Sequence, residues 1–196
     1  MKRFFIALFL VLSFVICLPS CFNTQENADF EKFNEMLNIA FDNYQITVLT
    51  SSPNGYVLNN SYNIKSIDGV SKIEYHVETL NEFTLENGNN IIPNGYKTVS
   101  EGVCENAQNT PGLDLYYDPH FKLSSDSISS YTVTPELFSA QIASLSGFMG
   151  LDKGLDKGYV SSANLSISYS ENRVNSLEIT YVTHIGNTVV ITYTFN

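Results

Sequence analysis

Three runs near the end of the chain, ANLSISY (163–169), SLEITYVT (176–183) and NTVVITYTF (187–195), alternate apolar and polar residues with a period of two. Leu165, Ile167 and Tyr169 alternate with Ser and Asn, and Leu177, Ile179 and Tyr181 with Glu178 and Thr180. Val189, Ile191, Tyr193 and Phe195 alternate with Thr. The period places successive side chains on opposite faces of a strand. The separators SENRVN and HIGN are too short for anything but hairpin connections. An antiparallel meander with one buried face and one Ser/Thr-rich wet face follows.

The same period recurs earlier. YQITVLT (44–50) leads through SPNG (52–55) into YVLNNSYNIKSI (56–67). An Asp68-Gly69 turn, a strong hairpin signal, then joins VSKIEYHVETLNEF (70–83), with Lys72, Glu74, His76 and Glu78 on one face. ENGNNIIPNG (86–95) and ENAQNTPG (105–112) read as loops by composition, and YKTVSEGV (96–103) and LDLYY (113–117) as strands. SISSYTVTPELFSAQIASLSGFMG (127–150) has two readings. Pro135 opens a helix, or it sits in a turn and Phe138, Ala140 and Ile142 point inward from a strand, followed by a helical turn at 144–149. The alternation favours the strand. LDKGLDKG (151–158) is a tandem repeat that lacks the ligand pattern of a calcium loop.

One segment before the first strand has a helical period. In DFEKFNEMLNIAFDNY (29–44), Phe30, Phe33, Met36, Leu37, Ala40, Phe41 and Tyr44 recur at spacings of three and four,. Asp29 is placed to cap its start. One amphipathic helix and seven to nine antiparallel strands predict an α+β domain, the helix packed on a curved antiparallel β-sheet. The domain would span 29–196.

The N-terminus carries its own pattern. Lys2 and Arg3 precede FFIALFLVLSFVI, from Phe4 to Ile16, which is too short for a span of roughly 20 residues and fits a secretory h-region. Leu18-Pro19-Ser20-Cys21 follows. This resembles the bacterial lipobox, in which the Cys thiol is acylated with diacylglyceryl and becomes the new N-terminus; Leu18 and Ser20 match it and Pro19 departs from it. The resemblance implies a signal peptide over 1–20, lipidated Cys21 and a short tether to residue 28. It implies a cell-envelope protein anchored in the membrane at the extracytoplasmic face. Losing Lys2 and Arg3 moves the net charge from −10 to −12. A domain so acidic has no electrostatic route to nucleic acid and is repelled by anionic headgroups, so a covalent anchor would be what holds it at a membrane. Cys104 would then have no disulfide partner, and it reads as a small buried hydrophobe.

The order of helix and strands is similar to the half-barrel domains of envelope lipoproteins and of the lipoprotein localisation factor. In those carriers the concave side of the sheet holds lipid or acyl chains. The resemblance implies a non-enzymatic binding module for a lipid, another apolar ligand or an envelope protein. Phe33, Leu37, Phe41, Ile179, Tyr181, Ile191 and Tyr193 are the candidate lining residues, or else ordinary core.

Catalytic signals are sparse. Glu74, His76 and Glu78 share a strand face, but alternate positions stand about 7 Å apart, wide for one metal. His120, after Asp118-Pro119, and His184 sit in turn contexts. No G-x-S-x-G, Gly-rich phosphate loop or C-x-x-C occurs,. A hydrolase or metal-dependent enzyme using His76 or His120 is the alternative reading, and a purely structural surface protein a third. No cofactor is expected. The 12 Tyr suit adaptable binding surfaces,, although aromatic residues also simply favour strands.

Overall fold

The computed structural model describes residues 26–38, 43–53, 56–67, 70–81, 96–117, 120–149 and 163–196. The expected signal, Cys21, Ala40, Phe41, the 86–95 loop and the 151–158 repeat lie outside these residues. A helix, α1, covers 26–37. The strands are β1 (Asn43–Ser51), β2 (Tyr56–Ile67), β3 (Val70–Asn81), β4 (Tyr96–Cys104), β5 (Ile128–Val133), β6 (Leu137–Ile142), β7 (Ala163–Ser170), β8 (Arg173–Val182) and β9 (Thr188–Phe195). A five-residue helix, α2 (Leu145–Met149), follows β6. Among the described residues no helix is long and apolar enough to cross a membrane.

All nine strands form one antiparallel sheet in the order β4-β3-β2-β1-β9-β8-β7-β6-β5. β1 pairs with β9, so the β1–β4 and β5–β9 halves join through the first and last strands. Among the described residues the sheet is open, with β4 and β5 at its ends. The molecule is mainly β, and α1 is a small addition to it rather than half of an α+β pair.

Register keeps the two faces in phase across the sheet. Ile46 stands between Tyr62 and Tyr193, and Tyr193 beside Leu177, Ile167 and Phe138 in turn. Tyr193, Leu177, Ile167 and Phe138 are inner positions that alternation assigns, Ile46 and Tyr62 come from register alone, and all six are fully buried.

Three elements cover this inner face. From α1, Phe33 packs against Phe138 and edge-on to Tyr169, with ring centroids 4.7 and 5.0 Å away, and Phe30 lies 5.1 Å from Tyr131. The 110–123 segment brings Phe121 edge-on to Tyr193 at 5.0 Å. α2 brings Phe148 to Phe121 at 5.4 Å. Backbone bonds from His120 N to Met149 O (3.0 Å) and Lys122 N to Phe148 O (2.7 Å) tie the last two together.

Several sequence expectations change. Residues 26–28 are already helical, so Asp29 is an interior helix residue and no cap; its carboxylate accepts from Tyr131 Oη at 3.1 Å. Tyr44 belongs to β1, where it is paired with Phe195. Residues 113–117 form turns, not a strand: Leu113 and Tyr116 dip into the core three apart, while Asp114 and Leu115 between them face out. The 127–150 segment follows the strand reading: Phe138, Ala140 and Ile142 are buried on β6, and Pro135 lies in the β5–β6 turn.

Candidate functional site

Six of the seven candidate lining residues are described, and all six are core. Phe33, Ile179, Ile191 and Tyr193 are fully buried, and Leu37 and Tyr181 nearly so. They fall under different covers. Phe33 meets β6 and β7 through Phe138 and Tyr169. Tyr193 instead meets the 110–123 segment, through Phe121 and by donating to the carbonyl oxygen of Tyr116 at 2.9 Å. The Tyr181 hydroxyl bonds that of Tyr116.

Tyrosine emerges as the residue that fastens the cover. Tyr62 donates to Pro111 O at 2.8 Å, Tyr169 to Thr134 O, and Ser71 and Tyr117 share a hydroxyl bond of 2.9 Å. The rings of Tyr62 and Tyr169 fill the inner face while their hydroxyls donate to the backbone of the covering segment and of the β5–β6 turn, and Tyr117 reaches back from the covering segment to Ser71 of β3,. Burial pushes the Tyr62 hydroxyl up to about 12 and raises Tyr116, Tyr181 and Tyr193 above the ordinary phenol range.

The three histidines lie apart from one another among the described residues. On β3, His76 Nε2 lies 3.4 Å from Glu78 and Nδ1 3.4 Å from Glu101 of β4. Ser61 stands beside His76 in register, but both ring nitrogens are turned to carboxylates and neither addresses it. Glu74 is turned away, to Lys65 (3.9 Å), Lys72 (3.6 Å) and Asn63 (3.3 Å). His120 is exposed on the covering segment, whereas His76 is on the opposite, outer face. His184 is exposed in the β8–β9 turn. Among the described residues no three His, Cys, Asp or Glu side chains converge to hold a metal. Cys104 is a free thiol, with Sγ 3.9 Å from Asn109 O.

Among the described residues three open concavities stand out, and none of these is lined by the six core residues named above. One lies beside α1. A second, at the start of β3, includes Glu105 and Asp114. The third, of about 430 Å³, lies on the outer face over β5, β6, β7 and β8.

The last is the most regular. Ser130, Gln141, Asn164 and Thr180 are neighbours in one row across the four strands. Thr132, Ser139, Ser166 and Glu178 form the next row, two residues along each strand. All eight line the concavity. From strand spacing and rise, the grid measures roughly 14 by 7 Å. Seven positions are neutral hydroxyls or amides, and Glu178 is the only charge. A weak 3.5 Å contact joins Ser130 to Gln141. Among the described residues, the side chains of Asn164, Ser166, Glu178 and Thr180 have no hydrogen-bond partner. Sequence alternation identified the wet face of β7 and β8 but not the rows, because these depend on sheet order and register.

No family model matches the chain, and no curated protein matches it. Among solved structures, a de novo designed fluorescence-activating β-barrel is 8% identical over 78% of this chain and 91% of its own, with a TM-score of 0.21. A redesigned β-barrel is 9% identical over 78% and 89%, with a TM-score of 0.22. An N-terminal dehydratase from the difficidin assembly line is 6% identical over 84% and 82%, with a TM-score of 0.18. At these scores nothing about ligand or reaction passes from them to this chain.

Proposed function

We propose that this protein is a non-enzymatic binding module, tethered at the extracytoplasmic face of a membrane through lipid on Cys21, and that it binds through the open polar face of its sheet. The observation that carries the binding half is the contrast between the faces. The inner face is covered by α1, the 110–123 segment and α2, and fastened by tyrosine hydroxyls. The outer face presents hydroxyls and amides in register over a concavity.

That contrast favours a polar ligand or protein partner over an acyl chain, because the residues suited to line an apolar pocket are packed against one another and their covers. The separation of His76 from His120 supports a role without turnover. The tether rests on the order of Lys2-Arg3, the apolar run and Leu18-Pro19-Ser20-Cys21. A half-barrel curl of the sheet around α1 belongs to the same reading.

The tether is tested by fractionating cells that express the chain or its Cys21→Ala form, with fatty-acid labelling. Labelled protein in the membrane fraction, with label and processing lost on Cys21→Ala, is the expected result. A Cys21→Ala form that is still processed and membrane-bound overturns the lipid anchor.

A further inference from the structure

The geometry points to the grid over β5–β8 as a binding site for a neutral oligosaccharide of hexopyranose units, laid across the strands. This deepens the outer-face reading above and rests on it; it does not depend on the lipid anchor.

Four features select the ligand class. First, every uncharged grid side chain is a hydroxyl or a carboxamide, and each both donates and accepts. A sugar ring presents hydroxyls with the same dual capacity, so pairing needs no particular polarity. Second, the grid has no Lys or Arg, and its one charge is the Glu178 carboxylate. A phosphate, sulfate or uronate ligand would meet an acceptor-only group with no countercharge. Third, the strand pitch of about 4.8 Å is close to the length of one hexose unit in an extended chain, so successive sugars would meet equivalent pairs of side chains on successive strands. Fourth, β6, β7 and β8 already spend their backbone groups on the strands either side, and only β5, at the end of the sheet, keeps an edge that lies along the strands rather than across them. A peptide crossing them would gain no ladder bonds, and the grid offers no apolar pocket to anchor its side chains.

Asn164 and Gln141 are the centre of this site. They stand side by side on β7 and β6, and both are exposed. Each carboxamide can bridge two adjacent hydroxyls of one sugar. No aromatic platform lies among the grid positions, so the expected affinity is weak, with Kd on the order of 1 mM.

The test uses the full chain, isotopically labelled, in a zwitterionic detergent with no sugar headgroup. Amide shifts are followed against cellohexaose, maltohexaose and hexa-N-acetylchitohexaose, and separately against a heparin hexasaccharide and a hexamer of alternating glycine and serine. The expected result is saturable shifts at 139–141, 164–166 and 178–180 with at least one neutral hexasaccharide. The paired variant Gln141→Ala, Asn164→Ala should weaken this by roughly tenfold, the equivalent of one or two hydrogen bonds, and leave the remaining spectrum unchanged. Glu178→Gln, which keeps an acceptor, should preserve binding.

No shift at the grid with any neutral hexasaccharide overturns the inference. So do shifts that map elsewhere or that survive the paired variant. Grid shifts with the peptide or heparin alone overturn the sugar assignment while leaving the outer face as the binding surface. If none of the five probes moves any outer-face amide, the outer-face reading falls with it.

Discussion

Asn34 of α1 and the backbone of Leu123 hold each other through two hydrogen bonds, Asn34 Nδ2 to Leu123 O at 2.9 Å and Leu123 N to Asn34 Oδ1 at 2.7 Å. The side-chain amide mimics a strand partner for a residue that has none. Leu123 is 2% exposed, so water offers its N–H and C=O little substitute. This contact links two of the three covers of the inner face. Asn34→Ala should destabilise the protein by about 1–3 kcal/mol, since unsatisfied buried backbone groups outweigh the gain of up to about 0.7 kcal/mol in helix propensity. Urea unfolding checks this. An Asn34→Ala protein as stable as the parent would mean that α1 is docked by its apolar face alone.

The fastened tyrosines predict alkaline lability. A phenol whose folded pKa is raised keeps its proton at a pH where the unfolded chain has lost its own. The folded state then binds more protons, and stability falls as pH rises from the unfolded value of about 10. For Tyr62 the loss continues up to about 12, and Tyr116, Tyr181 and Tyr193 add to it in the same direction. Tyrosinate absorbance should therefore include a cooperative step that coincides with loss of near-ultraviolet circular dichroism. Smooth titration of all tyrosines with native dichroism intact would contradict these burials.

How much of this was legible depended on the range of the contacts. β7, β8 and β9 announce themselves because the period of two is local and their turns are short. β6 was legible through Phe138, Ala140 and Ile142, once Pro135 was read as a turn. The 110–123 cover was not. Its defining bonds, Tyr193 to Tyr116 and Asn34 to Leu123, join residues 77 and 89 apart in sequence, and no local pattern encodes them. Asn34 reads as an ordinary solvent-facing helix residue. Glu101 likewise joins His76 only because β4 pairs with β3. The high Tyr content was a usable signal that was open to two readings: alternate positions on strands with hydroxyls to satisfy imply nearby loop carbonyls as much as a binding surface.

Gly112 is a second point where the cover is fixed by backbone geometry. Its φ is +71°, and a Cβ there would stand 2.9 Å from Tyr62 Oη and 3.0 Å from Asn60 Nδ2. Gly112→Ala therefore meets both the left-handed penalty of about 1–2 kcal/mol and a clash with a hydroxyl already bonded to Pro111. Losses above about 2 kcal/mol are expected, with the Tyr62 hydroxyl displaced. Asn60 sharpens the point, because its buried side chain is hydrogen-bonded to the Tyr62 hydroxyl and cannot swing away without losing that bond. Paired with Tyr62→Phe, the alanine should cost less than the two single changes combined. Additivity in this double-mutant cycle would place the two residues out of contact.

Adjacent positions on β7 separate the faces in one experiment. Ile167 is fully buried and paired with Phe138 and Leu177, whereas Ser166 belongs to the outer grid beside Ser139 and Glu178. Ile167→Ala removes core packing and leaves a cavity, so about 2–5 kcal/mol should be lost. Ser166→Ala removes a half-buried hydroxyl with no partner among the described residues and should stay within about 0.5 kcal/mol of the parent. Urea titrations at two protein concentrations read both. If Ser166→Ala proved costly, and more so at higher concentration, the outer face would be packed against a second copy of the chain rather than open to a ligand. A small, concentration-independent effect leaves that face free to act as the binding surface, with its stability supplied from the other side of the sheet.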